Sequence, residues 1–347
     1  MAIPILKLLT IGILPSPIKK AYYRARGAKI GKRVSLSILS VLNCENIEIG
    51  DDVKVGMLCF VNARRLRLGN RSQIRMTAAI DTGELVLGAD SVIMEQVVVG
   101  GMLTPQSKLI VGKRVKVFPY SFLNTTKEIF IEDDVGVGGG NYIFTHGTWP
   151  SALDGYPYSF GPVTIKKGTW LPWRVFIMPN VTIGENSIIA AGSTVTKDIP
   201  DLALAGGSPA KVLRENGAYI KAMSDVEKRS LLENIFSEFA EHYLYLGSDC
   251  IYKQDETTLT LILNRKHLIL SFDHEVVFKQ LECASVYVSF NALRLSERER
   301  LAEKSIAWFD IANKETDLSD NPEWILMREY FSRYGIRFNV VNESDIK

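Results

Sequence analysis

Residues 165–195 read IKKGTW, LPWRVF, IMPNVT, IGENSI, IAAGST and V, with an aliphatic residue opening each word: Ile165, Leu171, Ile177, Ile183, Ile189 and Val195. Earlier words keep the same phase in groups of three: Ile49, Val55, Val61; Leu68, Ile74, Ile80; Leu87, Ile93, Val99; Val111, Val117, Leu123; Ile131, Val137, Ile143. The groups open at 49, 68, 87, 111, 131, 165 and 183, and one more coil begins at Ile30. Six residues fit one short strand and a turn, so three words close one triangular coil of a parallel β-helix. The aliphatic residues face inward and stack from coil to coil. The Gly or Ala that often follows them is expected to supply the tight backbone angles of the corner. Steps longer than three words are insertions at a corner. Ordinary strands of a sandwich would alternate locally but would not hold one phase from residue 30 to 195.

Composition narrows the class. The chain has 347 residues, room for two domains, and 41 Lys+Arg against 39 Asp+Glu. That balance gives no case for nucleic-acid binding. Cys44, Cys59, Cys250 and Cys283 show no metal or redox spacing, which points to a reduced, cytoplasmic setting and to no metal. Residues 3–18 are mostly apolar but are interrupted by Lys7 and prolines. The stretch is too short to span a bilayer, and no small-residue cleavage site follows it. Lys19, Lys20, Arg24, Arg26 and Lys29 come next, with Tyr22 and Tyr23 among them. Residues 1–28 read as a helical cap on the open end of the solenoid. Residues 3–29 also fit peripheral contact with an anionic membrane, at the inner face. The two readings are compatible.

The period is expected to stop after Val195. Residues 201–247 read as an exit segment and a linking amphipathic helix, Ser224 to Leu246. Residues 248–347 read as a small α/β domain of unassigned role. In it, Thr258–Leu263 and His267–Phe272 form a hairpin across Asn264–Lys266, and Ser285–Phe290 is a further strand. Ser296 and Glu299 make a capping box for a helix running to about Lys314. Pro322–Tyr334 is a second helix, and Ile336–Val341 a last strand.

The long step from Ile131 to Ile165 hides the chemistry. The inserted loop starts at His146 and carries Trp149, Tyr156, Tyr158 and Phe160. A loop thrown from a rigid scaffold is a natural site, and its aromatics are candidates for holding an acceptor. Histidine is the usual general base for a hydroxyl or amine near neutral pH, although a packed or solvated loop histidine reads the same way.

The stretch TIKKGTWLPWRVFIMPNVTIGENSIIAAGSTVTKDIPDLALAGGSPAKVLRE resembles the hexapeptide-repeat acyltransferases, most specifically in PNVTIGENSIIAAGSTVTKDIP and AGGSPAKVLR. The resemblance covers residues about 30–214. It implies a left-handed handedness for the β-helix of residues 29–200, a homotrimer with sites between subunits, and acetyl-CoA as donor. It gives His146 the catalytic role. It gives Trp170, Trp173, Ala191, Thr196, Lys197 and Arg214 contact with acetyl-CoA, the last three at its nucleotide end, where Lys and Arg suit phosphates. Trp173 stands where the family usually has a small residue. Asn124 is the nearest candidate for an acceptor-contacting Asn one coil before the histidine. Trp149, Tyr156 and Tyr158 complete the acceptor side. The expected fold is thus mainly β, a left-handed parallel β-helix with an N-terminal helical cap and a small C-terminal α/β domain. The expected activity is O-acetylation of a sugar hydroxyl in a polysaccharide, lipid-linked glycan or nucleotide sugar. N-acetylation of an amino sugar and a non-catalytic binding β-helix are the alternatives.

Overall fold

A computed structural model describes residues 5–247, 249–263, 265–273, 281 and 283–341. These form two compact units that divide between Ile220 and Lys221.

The first unit is the parallel β-helix that the six-residue period specifies. Each coil contributes a strand to three faces, and every strand pairs in parallel with its equivalent one coil away. On the first face Ile131 registers with Val111 and Ile165; on the second, Val137 with Val117 and Leu171; on the third, Ile143 with Leu123 and Ile177. The inward column of the second face, from Leu36 through Val55, Ile74, Ile93, Val117, Val137 and Leu171 to Ile189, is at most 1% exposed throughout. Burying each such side chain stabilises the stack by about 1.5–3 kcal/mol.

The small residue after each aliphatic does not make the turn. A Cβ on Gly56 would lie 2.6 Å from the backbone N of Met76, and one on Gly69 2.6 Å from that of Ala89. These positions are small because the next coil presses on them. The positive φ angles fall two residues later: at Asp52 (59°), Arg71 (57°), Asp90 (61°), Arg114 (55°) and Asp134 (62°). Left-handed backbone disfavours such side chains. Here they repay the strain by pairing across coils. Arg71 donates Nε and Nη2 to the Asp90 carboxylate at 2.8 and 2.7 Å, and Arg114 to Asp134 at 2.7 and 2.8 Å. Arg33 grips Asp52 in the same bidentate way.

Insertions are confined to one corner. The steps from first to second face and from second to third face stay at six residues from Ile49 to Val195. From third to first face the step is seven at Val61–Leu68, twelve at Val99–Val111, eight at Leu123–Ile131 and twenty-two at Ile143–Ile165. In the early coils this corner is hardly a turn: Val41–Ile49 and Phe60–Leu68 run through it as continuous strands.

Both ends are closed. The helix Ser16–Ala25 covers the first coil. Lys19, fully buried, donates to the carbonyls of Ser37 (2.6 Å) and Ser40 (3.1 Å) and to Ser40 Oγ (3.2 Å). Burial pushes its ammonium down to about 8. The Tyr23 hydroxyl accepts from Leu42 N at 2.9 Å. At the far end the β-helix continues past Val195, where the period was expected to stop. Leu204–Gly207 adds a strand on the second face, and Ala210–Arg214 turns back antiparallel against it. The segment read as an exit is therefore structural.

In the second unit the helix Asp225–Tyr245 begins with a Ser224–Glu227 capping box. It is not a free linker: Leu232, Ile235, Phe236 and Phe239 lie in that unit's core. A mixed sheet runs Cys250–Gln254, Thr258–Leu263, Lys266–Ser271, Ala284–Ser289, Ala307–Asp310, Glu315–Thr316 and Asn339–Val340. The expected hairpin and the strand near 285 are present, while Asn264 in the turn lies outside the described residues. The expected helix from Ser296 to Lys314 is wrong in length and cap. It spans Leu295–Glu303, with Glu297 Oε2 accepting the Arg294 N–H at 2.8 Å. Ser305 then takes φ +56° and ends it. Ala307, Trp308 and Phe309 become a buried parallel strand, because the sheet needs an apolar run there more than the helix needs another turn. The helix Pro322–Arg333 matches expectation; the last strand shortens to Asn339–Val340.

Two outcomes are expected. Gly69→Ala should destabilise the first unit by about 1–3 kcal/mol, since backbone must move to admit the methyl; an unchanged denaturation midpoint would refute the close-stacking role. Lys19→Met leaves the buried Ser40 carbonyl short of its donor, a penalty of about 1–3 kcal/mol. It should speed proteolysis within residues 5–25, and unchanged cleavage would remove Lys19 as the fastener of the cap.

Candidate active site

The largest insertion leaves the solenoid right after the third-face strand Tyr142–Phe144. Thr145 fixes the departure point. It is buried, its Oγ1 donates to the Asn124 carbonyl at 2.6 Å, and it accepts from Lys127 N at 2.9 Å. The loop also returns to it, with Gly161 N donating to the Thr145 carbonyl at 3.0 Å. Between these anchors His146 pairs antiparallel with Phe160, and Gly147 with Ser159. His146 is therefore held at the root of the loop on both sides.

The imidazole is half-buried and packs against the Phe160 ring, centroids 4.9 Å apart. Among the described residues no side chain gives it a hydrogen bond or ion pair. Asn124 sits one coil away, in register with Phe144 and two positions before His146. Its Oδ1 accepts from Thr126 N at 3.2 Å and lies 3.4 Å from Thr145 Oγ1, while its amide NH₂ has no partner among the described residues. The structure thus brings an imidazole with unspent hydrogen-bonding capacity and a free carboxamide donor to one corner, joined through Thr145. The sequence offered no signal for Thr145. It gave Phe160 only as one of several loop aromatics.

The other predicted aromatics do not gather around His146. Trp149 is 96% exposed, Tyr158 65% and Tyr156 54%. They stand out from the prism on a loop whose tip is the short turn Ala152–Asp154.

The residues expected at the donor divide between edges. Thr196 and Lys197 are exposed at the third-to-first corner, the same edge as His146, two coils further on. Two coils are roughly 10 Å at ordinary strand spacing. Trp170 and Trp173 belong to the second face and its exit corner. Their indoles lie over the coil below, so that a Cβ on Gly136 or Gly139 would meet them at 2.4 and 2.1 Å. Those glycines leave room for the two rings. Asn141, buried at this corner, donates to the Gly138 and Pro172 carbonyls at 2.7 and 2.8 Å and accepts from Val175 N at 2.6 Å. It holds the corner rigid. The Trp173 carbonyl accepts from Gly192 N at 3.0 Å, which places Ala191 directly above, while the Trp173 N–H has no acceptor among the described residues. Arg214 ends the closing strand of the second face, paired with Leu204, and among the described residues its side chain reaches only its own neighbour's carbonyl. The third face lies between the His146 edge and the Trp173 edge, so one chain does not bring the two sets together. That intervening face is apolar. Val98, Phe122, Tyr142 and Phe176 stack outward in register, and Tyr142 and Phe176 lie parallel at 4.9 Å. Among the described residues no group of His, Cys, Asp or Glu could hold a metal ion, all four cysteines are free, and no helix is long and apolar enough to cross a membrane.

Comparison with known proteins gives the same motif a name. Residues 162–197 match the family model for the bacterial transferase hexapeptide (six repeats). The galactoside O-acetyltransferase of Escherichia coli K12 is 53% identical over 62 residues, 18% of this chain and 30% of that protein. The chain thus spans about a third of the length of the curated relatives it matches. Among solved structures, a maltose O-acetyltransferase from Clostridium difficile 630 is 29% identical with TM-score 0.29, covering 37% of this chain and 70% of that one. The polySia-specific acetyltransferase NeuO is 21% identical with TM-score 0.38, covering 57% and 85%. Residues 162–197, an unbroken run of six-residue words held in parallel register, thus match the bacterial transferase hexapeptide family, and they lie within the parallel β-helix that makes up the first unit.

Proposed function

We infer that this protein is an acetyl-CoA-dependent O-acetyltransferase acting on a sugar hydroxyl of a polysaccharide, lipid-linked glycan or nucleotide sugar. The observation that carries the reading is His146: a half-exposed imidazole packed on Phe160 but without a side-chain hydrogen bond or ion pair among the described residues, fixed at a loop root, with the free Asn124 amide one coil away. A histidine packed for structure would spend its nitrogens on neighbours.

In this mechanism His146 takes the proton from the acceptor hydroxyl as the oxygen attacks the thioester carbonyl. The Asn124 amide can hold the acceptor. The unpaired Trp173 N–H is suited to the oxyanion that forms, a role worth roughly 3–4 kcal/mol for one well-aimed donor. Collapse of the tetrahedral intermediate breaks the C–S bond, and the imidazolium returns its proton to the departing thiolate. No covalent enzyme intermediate is needed. Lys197 and Arg214 would grip the phosphates at the donor's far end.

The division of these residues between two edges supports a homotrimer. A second copy seated on the apolar third face would lie beside both edges at once. Head-to-tail packing of this kind closes into a ring when the rotation is one third of a turn. Phe122→Asp with Tyr142→Asp should leave a folded monomer by light scattering, where the unaltered chain is trimeric; a monomeric unaltered chain would dispose of the trimer.

His146→Ala should lower kcat by about 10²–10⁴-fold, the range for a positioned base. Lys197→Ala and Arg214→Ala should instead raise the KM for acetyl-CoA with little change in kcat, because they hold a part of the donor that does not react. Retention of more than about a tenth of kcat by His146→Ala would exclude it as the base.

A further inference from the structure

The corner that carries His146 holds a second feature four to five coils earlier. Because Val41–Ile49 and Phe60–Leu68 run straight through it, the corner stays open there, and the N-terminal segment and the 101–107 insertion lean over the gap. They leave a cavity of about 670 Å³, within the ordinary range for a small-molecule site. Its chemistry is two-sided. Ile11, Val41, Leu42, Ile47 and Leu103 line the apolar part. Lys7, Arg26 and Arg64 stand at the polar part against a single lining carboxylate, Glu45. The Arg64 guanidinium has no partner among the described residues, and Arg26 lies over the Tyr22 ring at 5.7 Å. Asn43 and Asn62 form a hydrogen-bonded ladder onto Asp81, so that carboxylate is already occupied. Thr82 also lines the cavity. It is 1% exposed, and its hydroxyl has no partner. Lys7 is paired with Asn43 Oδ1, but a buried hydroxyl left unpaired beside the free Arg64 guanidinium calls for an acceptor-rich ligand.

The segment that roofs the cavity presents its other side to solvent. Leu6 is 76% exposed, Leu9 61%, Ile13 51% and Ile18 53%, while Lys7 and Ile11 between them turn inward to the cavity. An exposed apolar ridge beside a cationic, partly apolar pocket matches a molecule that carries an anion at the head of a hydrocarbon chain. We propose that this cavity takes the phosphate headgroup of a membrane lipid, with Leu6, Leu9, Ile13 and Ile18 entering the bilayer interface beside it. A soluble phosphate ester shares the headgroup chemistry but leaves the apolar ridge without a use.

The test is sedimentation of the full chain with phosphatidylcholine vesicles, with and without phosphatidylglycerol, alongside calorimetry with glycerol phosphate. Binding is expected only to the anionic vesicles. Arg26→Gln and Arg64→Gln should each weaken it roughly fivefold, the usual effect of one cation near a charged membrane. Lys54→Gln with Lys167→Gln, equally exposed but away from the cavity, should change it little. Thr82→Val keeps the shape and removes an unpaired buried hydroxyl, so it should not harm the fold, yet it should weaken binding roughly fivefold. Equal losses from the Lys54/Lys167 pair would mean diffuse surface attraction. Unchanged binding by Thr82→Val would mean that no headgroup enters the cavity. Failure to sediment with anionic vesicles, with or without binding of glycerol phosphate, would overturn the lipid assignment. None of these readouts involves acyl transfer, so they stand apart from the proposed activity.

Discussion

The first unit depends on one constraint: each coil must lie a single strand spacing, about 4.8 Å, from the next. At that distance equivalent residues of neighbouring coils touch, and each position is judged against its own copy. Aliphatic residues stack on aliphatic residues inside. Gly56 and Gly69 are glycine because backbone passes where a methyl would be. The left-handed corner residues alternate between arginine and aspartate, so that a costly backbone angle delivers a bidentate ion pair between coils. Strain at one level is offset by contact at the next.

The same constraint decides where function can be placed. Two corners hold a six-residue step from Ile49 to Val195 and tolerate nothing extra, whereas the third accepts every insertion. The His146 loop, the 101–107 insertion and the cationic cavity all lie on that one edge. A rigid prism with a single permissive edge can vary its chemistry along the edge without disturbing the stack. The cost is that the residues proposed for the donor side, at the Trp173 corner and Ala191, sit on another edge. In the proposed trimer, a neighbour on the apolar face of Val98, Phe122, Tyr142 and Phe176 would bring such an edge up to His146.

Much of this was legible from the residues. A strict period fixes inward positions, so the stacked core followed from reading every sixth residue. His146 stood out because it opens the longest break in that period. Ser224 and Pro322 marked helix starts for local reasons and did so correctly. Three things were not legible. The Arg–Asp ladder joins residues one coil apart in sequence, and nothing local marks an arginine as left-handed. The helix drawn from Ser296 to Lys314 ran through Ala307–Phe309, where the sheet claimed the chain. Thr145 and Asn141 act by buried hydrogen bonds to backbone, and such bonds appear only when the coils are stacked.

The most direct test of a site shared between copies is subunit mixing. His146→Ala and Ala191→Glu each damage a different edge, so each alone should be inactive as a trimer. Assembled together at random, they should regain roughly a quarter of wild-type activity, the chance that one neighbouring pair supplies both intact edges. Mixed trimers as inactive as either parent would show that the two edges never meet in one site.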